Sequence, residues 1–428
     1  MNNAGMSGGS MRVIGEYPLS NIQGGTRQGL DETRSEIQDA KPAITQDLHW
    51  SADGSTLTSV SSDRTVRRFV LSQEDAGDAP SLSLFSQFSR NQSIVTSAVS
   101  LSDRNILLCC KNLPIQLYPL QNAGECTTPG EAGYRPTPTY SYSTANGQTE
   151  EFETPYSIRF LSPCEFITGS VRNSVSLYDV ERREPLWHLR SDKLRCGRAA
   201  YKSIVSCFEE PCVPRDDTAQ GSLNPAVLHF GTYKNEMYRV DLRTAASRRG
   251  KAKPLDVFRE NNRRGNGIYQ ILRSDNGTYM YVLKRQSDVI EVHDLRRLGE
   301  NVSTLQLPFK VRNQKFRASL SAYNGLSIGT THGTVETWNR SLVESGGVSQ
   351  HTQNDNPIPP TLSTAINWGN TSLPSRINIF QQNPENAYIA AVSFSPDKTA
   401  PPFSPDKTDP PLHAPAAPNS GICIVEHT

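Results

Sequence analysis

Long apolar runs are absent. Nowhere in the 428 residues is there a stretch near the roughly 18–20 apolar residues that cross a bilayer as a helix, and the opening MNNAGMSGGS has no apolar segment of the kind a secretory leader carries. A soluble, intracellular protein without a membrane partner is expected. A dominant charge is missing too: 44 Lys and Arg stand against 43 Asp and Glu, so no blanket attraction to nucleic acid exists. The eight cysteines never form a CxxC pair and never meet histidine at zinc spacing, which argues against a metal site. The eight histidines are scattered singly, and no convergent acid, base and nucleophile emerges. The GNG at 265–267 precedes a strand, whereas a phosphate-cradling loop would open a helix. The expectation is a protein that is not an enzyme and has no cofactor, metal or small-molecule substrate.

What is abundant is turn chemistry. Glycine and proline number 29 each, while apolar residues make up only 36% of the chain, so loop insertions and disordered ends beside a folded centre are expected. Residues 47–71, DLHWSADGSTLTSVSSDRTVRRFVL, read as strand, turn, strand, tight turn and third strand. That is the WD-repeat pattern. Its third strand recurs in SSDRTVRRF, CKNLPIQLY, SVRNSVSLY, TYKNEMYRV, RQSDVIEVH and TTHGTVETW, ending at Phe69, Tyr118, Tyr178, Val240, His293 and Trp338. The intervals of 49, 60, 62, 53 and 45 residues slightly exceed the usual propeller period of about 40–50. Long connections absorb the excess.

The Gly-His dipeptide of well-formed repeats is absent, so the buried polar network it anchors is mostly lost and the blades must rely on apolar packing. A seventh blade is assigned to YIAAVSFS (388–395) and GICIVEH (421–427), with MRVIGEYPL (11–19) as a ring-closing outer strand. The fold expected is therefore an all-β, WD-repeat β-propeller of seven blades with a disordered N-terminal tail. A flexible segment spans 1–40, six blades span 41–343, a polar linker covers 344–365, and the last blade spans 366–428. A near-perfect duplication, FSPDKTAPP then FSPDKTDPP (394–411), reads as a local expansion within that blade.

Four motifs in order carry a family likeness: NLPIQLY (112–118), residues 151–190, LHFGTYKNEMYRVD (228–241) and GNGIYQILRSDNGTYMYVLKRQSDVIEVHDLRR (265–297). Together they resemble the telomerase Cajal-body WD-repeat proteins and their fungal, splicing-linked Swt-type branch, over roughly residues 45–340. The resemblance implies a nuclear protein that recognises small nuclear RNA or its ribonucleoprotein particle, in pre-mRNA splicing or in small nuclear and telomerase RNA biogenesis. A protein-interaction scaffold that never touches RNA is the alternative, since propeller faces host many partners.

Charge distribution offers a second line. Residues 182–317 hold 27 Lys and Arg against 15 Asp and Glu, a net of +12, leaving −11 elsewhere. In a propeller the loops entering each innermost strand and the turns between second and third strands emerge on one face. Entry loops then contribute Arg195, Arg198, Lys202, Arg259, Arg263, Arg264, Lys310, Arg312 and Lys315, and the turns contribute Arg172, Lys234, Lys284 and Arg285. These form a candidate phosphate track, with Tyr201 and Tyr269 beside it as candidate base-stacking platforms. A merely solvated face and aromatics packed between blades are the alternatives. The loop ASRRGKAKP (246–254) suits a nuclear-import patch or a solubilising connection.

Overall fold

The computed structural model describes residues 10–19, 43–72, 81–120, 136–144, 151–189, 203–211, 227–242, 256–259, 265–274, 276–296, 301–311, 316–321, 325–339, 357–367, 376–395 and 420–427. Among these residues the strands form three four-stranded and two eight-stranded sheets. Each eight-stranded sheet is two antiparallel four-strand units joined by one parallel pairing. In order of their innermost strands, the units span 45–89, 94–142, 157–189, 205–259, 268–306, 318–367 and 376–427, the last completed by the strand Ser10–Pro18. They are the blades of a β-propeller, numbered here one to seven.

The third strands lie where the repeat reading places them, five of the six running one to three residues past the named end. Thr65–Ser72, Ile115–Pro119, Val175–Asp179, Glu236–Asp241, Val289–Asp294 and Thr334–Trp338 carry Phe69, Tyr118, Tyr178, Val240, His293 and Trp338. All six side chains are buried. All but His293 feed apolar clusters that lie between neighbouring blades rather than within one. Leu48, Leu57 and Phe69 of blade one pack on Ile379, Ile389 and Ile424 of blade seven. Likewise, Leu272, Tyr281 and Ile290 of blade five meet Phe316, Ile328 and Trp338 of blade six. This is the packing demanded of repeats that lack the Gly-His network: each interface removes apolar area from water on both partners.

Three second strands end in close approach to the next blade. Blades three and six carry Gly169 and Gly329 as the last residue and blade four carries Gly231 as the last but one, facing Val205, Ile377 and Ile268 on the innermost strand of the next blade. A Cβ on Gly329 would sit 2.1 Å from Ile377 Cγ2. Gly329→Ala therefore costs about 1–3 kcal/mol of overpacking. For a chain of this length that lowers the melting temperature by about 1–3 °C. In a thermal double-mutant cycle with Ile377→Ala, the paired loss should be smaller than the sum of the single losses; strict additivity would show that the contact is not the cause.

Two boundaries differ from the sequence reading. The strand Leu362–Asn367, assigned there to the linker and the start of the last blade, pairs with Thr334–Trp338 as the outer strand of blade six. The innermost strand of blade seven is Arg376–Gln382, inside the span 366–428 expected for the last blade but not among the strands named for it. Polar residues disguised both segments, and neighbours distant in the chain determine their pairing.

Candidate nucleic-acid interface

In an antiparallel blade successive hairpins fall at opposite ends, so the second-to-third-strand turns and the loops entering the innermost strands share one end. Hydrogen bonds join them across blades. Arg64 O accepts from Arg90 N at 2.8 Å, and Arg64 Nη1 donates to Asn91 O at 2.6 Å, tying the blade-one turn to the entry of blade two. Asn112 N donates to Thr154 Oγ1 at 2.9 Å. Asn173 N reaches Ser203 O at 2.8 Å, and Asn235 Nδ2 reaches Gly265 O at 2.8 Å. The series continues with Gln286 N to Val311 O at 2.7 Å and Ile377 N to Thr330 O at 2.9 Å. Ser420 Oγ donates to Ala43 O, which joins blade seven to blade one.

Left-handed backbone builds these turns. Arg64, Asn112, Arg172, Asn173, Asn235 and Gln286 have φ between 54° and 68°. Non-glycine residues adopt that region at a cost, with Asn the most tolerant among them. Bonds to the next blade hold them there.

On this face Arg172, Lys234 and Lys310 are exposed and Arg285 is half-buried. Arg285 lies over the Tyr233 ring, with its guanidinium carbon 4.1 Å from the centroid, so blades four and five present their cations side by side. Two sequence expectations are corrected. Lys284 is only 3% exposed and its Nζ stands 2.6 Å from Glu291 Oε2, a partner it would have to abandon to meet a phosphate. Burial pulls its pKa down, opposed by the Glu291 charge. Lys284 is the last residue of the second strand Tyr279–Lys284 rather than part of the turn, and its side chain is enclosed with Glu291. The Tyr269 ring packs against the apolar cluster between blades five and six, and its hydroxyl is buried without a hydrogen-bond partner among the described residues. It is an inter-blade residue, not a free platform for a base.

Arg259 ends the outer strand Asp256–Arg259, opposite Glu236, rather than standing in an entry loop. Arg195, Arg198, Tyr201, Lys202, Arg263, Arg264, Arg312 and Lys315 lie outside the described residues, as do the loop 246–254, residues 396–411 of the duplicated insert and the linker up to residue 356.

The channel wall has a different character. Glu209 is buried on the innermost strand of blade four, with Oε2 2.7 Å from His229 Nδ1 and Oε1 3.3 Å from Arg273 Nη1, while its backbone oxygen accepts from Arg159. Arg317 reaches Asp47 at 3.4 Å and Glu210 at 3.7 Å. Three carboxylates thus answer three guanidinium groups. These six charges balance one another within the wall. Exposed cations stand instead on the turn face.

No family model matches the chain. Curated relatives do. The protein named SWT21 from Zygosaccharomyces rouxii is 36% identical over 369 residues, covering 84% of this chain and 81% of that protein. The SWT21 protein of Vanderwaltozyma polyspora is 34% identical over 367 residues, covering 83% and 80%. That of Saccharomyces cerevisiae is 36% identical over 352 residues, covering 77% and 91%. The chain belongs to the SWT21 family. Likeness to SWT21 proteins over such spans exceeds any single blade.

Sequence reasoning on this SWT21-family chain missed Arg64 and Lys111. Both are exposed in the second-to-third-strand turns of blades one and two. A net-charge window drawn over 182–317 could not reach them, although SSDRTV and CKNLPI hold them in the same turn that supplies Arg172 and Lys234.

Proposed function

We propose that this SWT21-family chain is a non-catalytic nuclear WD-repeat protein that binds small nuclear RNA, or the particle built on it, through the turn face. In this reading it supports pre-mRNA splicing, or the biogenesis and localisation of small nuclear or telomerase RNA. The observation that carries the reading is the grouping of Arg172, Lys234, Arg285 and Lys310 on turns and entries of successive blades, beside a channel whose charges cancel. Resemblance of the blade motifs to the telomerase Cajal-body WD-repeat proteins points the same way. Single-stranded regions of RNA suit such a face, because their phosphates are bound by exchange of condensed counterions and need no deep pocket.

The test is crosslinking of the tagged protein in cells, followed by sequencing of the recovered RNA. Small nuclear RNA is expected, and its recovery should be lost when Arg263, Arg264, Arg312 and Lys315 are all changed to Glu in a chain that still melts cooperatively. Recovery of no RNA above background, with proteins co-purifying normally, would establish the scaffold reading instead.

A further inference from the structure

Every described second-to-third-strand turn carries a basic side chain. Blade by blade these are Arg64, Lys111, Arg172, Lys234, Arg285 and His332. Lys and Arg are 44 of 428 residues, about one in ten, so their presence in five of six short turns exceeds what an evenly charged surface supplies. The hairpins at the other end of the blades, the first-to-second-strand turns, make the comparison. Their described charged residues are Asp53, Asp103, Arg104 and Glu385, with Arg104 the one cation among them. The described third-to-fourth-strand connections at that end are balanced, Arg182, Arg183 and Arg296 standing beside Glu181, Glu184 and Asp294. Turn chemistry alone does not explain the contrast, because both hairpin sets need the same polar, tight-turning residues. The sign follows the face.

We infer that the polyanion path is not confined to blades three to six but runs on round the turn face through Lys111 and Arg64, and that its occupant is a phosphodiester strand. This rests on the RNA reading above and deepens it. Continuity comes from the hydrogen bonds that fasten each turn to the next blade's entry, since they place consecutive cations on consecutive, mutually anchored segments. Acids on the face interrupt the path little. Asp63 is held by Arg67 at 2.5 Å and Glu153 accepts from Ser170 at 3.1 Å, which leaves Glu151 and Asp288 as the exposed carboxylates among the described turns and entries. A regularly charged, flexible chain fits an arc of single cations spaced one per blade. A folded acidic surface would need them clustered.

The probe is a fluorescent oligouridylate long enough to follow the arc, bound to the full chain over a range of salt concentrations. For single strands each neutralised phosphate contributes a slope of about −0.7 in log K against log salt. The double variant Arg64→Gln/Lys111→Gln should flatten the slope by about 1.4 if both contact phosphate. Lys234→Gln/Lys310→Gln should do the same, and Arg104→Gln, on the opposite end, should leave it unchanged, with all variants melting like the wild type. A slope altered only by Lys234→Gln/Lys310→Gln overturns the extended path and leaves RNA binding by blades three to six standing. If neither double variant alters the slope, or polyglutamate displaces the probe as well as unlabelled oligouridylate does, the phosphodiester occupant is overturned together with the reading it rests on.

Discussion

Removing residues 1–19 lowers the melting temperature by more than about 10 °C, as read by calorimetry or by the far-ultraviolet signal of the strands. The strand Ser10–Pro18 is the outer strand of blade seven, with seven antiparallel register pairs to Gly421–His427. It also makes three parallel pairs to Leu362–Asn367 of blade six. Its loss uncovers the edges of two blades at once and exposes their unpaired backbone groups. Met11 is fully buried among Val335, Ile377, Phe380 and Val425, and Leu19 N donates to Ser420 O at 2.8 Å beside the blade-one interface. Met11→Ala alone should cost about 2–5 kcal/mol. At roughly 2 cal/mol/K of unfolding entropy per residue, that is a fall of about 2–5 °C in a chain this long. A truncated protein that melts within 2 °C of the wild type would remove the closing role from this strand.

The second large effect is expected at Glu209. Glu209→Ala removes the carboxylate that Arg273 meets and whose charge Arg159 feels, and breaking a buried pair from one side costs about 3–5 kcal/mol, or about 3–5 °C here. Burial by itself would raise the Glu209 pKa. The hydrogen bond from His229, with the charges of His229, Arg273 and Arg159, overcomes that and holds it below the ordinary carboxylate value. A carboxylate depressed in the folded state contributes stability that is complete above its unfolded pKa of about 4.3 and disappears as the pH falls through the folded value. The gap in melting temperature between wild type and Glu209→Gln should therefore shrink as the pH falls below about 4. A gap that persists undiminished at pH 3 would show that Glu209 stabilises by packing and not by charge.

Some residues were readable in advance and others were not. Phe69, Tyr118, Tyr178 and Trp338 mark the third strands because an alternating run closed by a large buried side chain is a local signal, visible within nine residues. Arg172, Lys234 and Arg285 were placed on the turn face by topology once the repeat was recognised. Lys284, one residue before Arg285, was placed there too, yet it is enclosed with Glu291 between blades. Chain position cannot distinguish a lysine that begins a turn from one that ends the strand before it. Tyr269 presents the same ambiguity, since alternation does not say whether a side chain meets solvent or the next blade.

The amino-acid order by itself determined the all-β character, the repeating hairpins and the turn residues, because strand alternation and tight-turn chemistry depend on neighbours a few positions apart. Only the tertiary structure decided which charges share a face, which cancel in the channel and how the first strand joins the last. Those outcomes depend on contacts such as Leu19 with Ser420, Trp50 Nε1 with Gln381 O at 3.1 Å and Arg317 with Asp47. Their partners lie hundreds of residues apart, so they exist only when the blades close into a ring, and no short-range pattern encodes them.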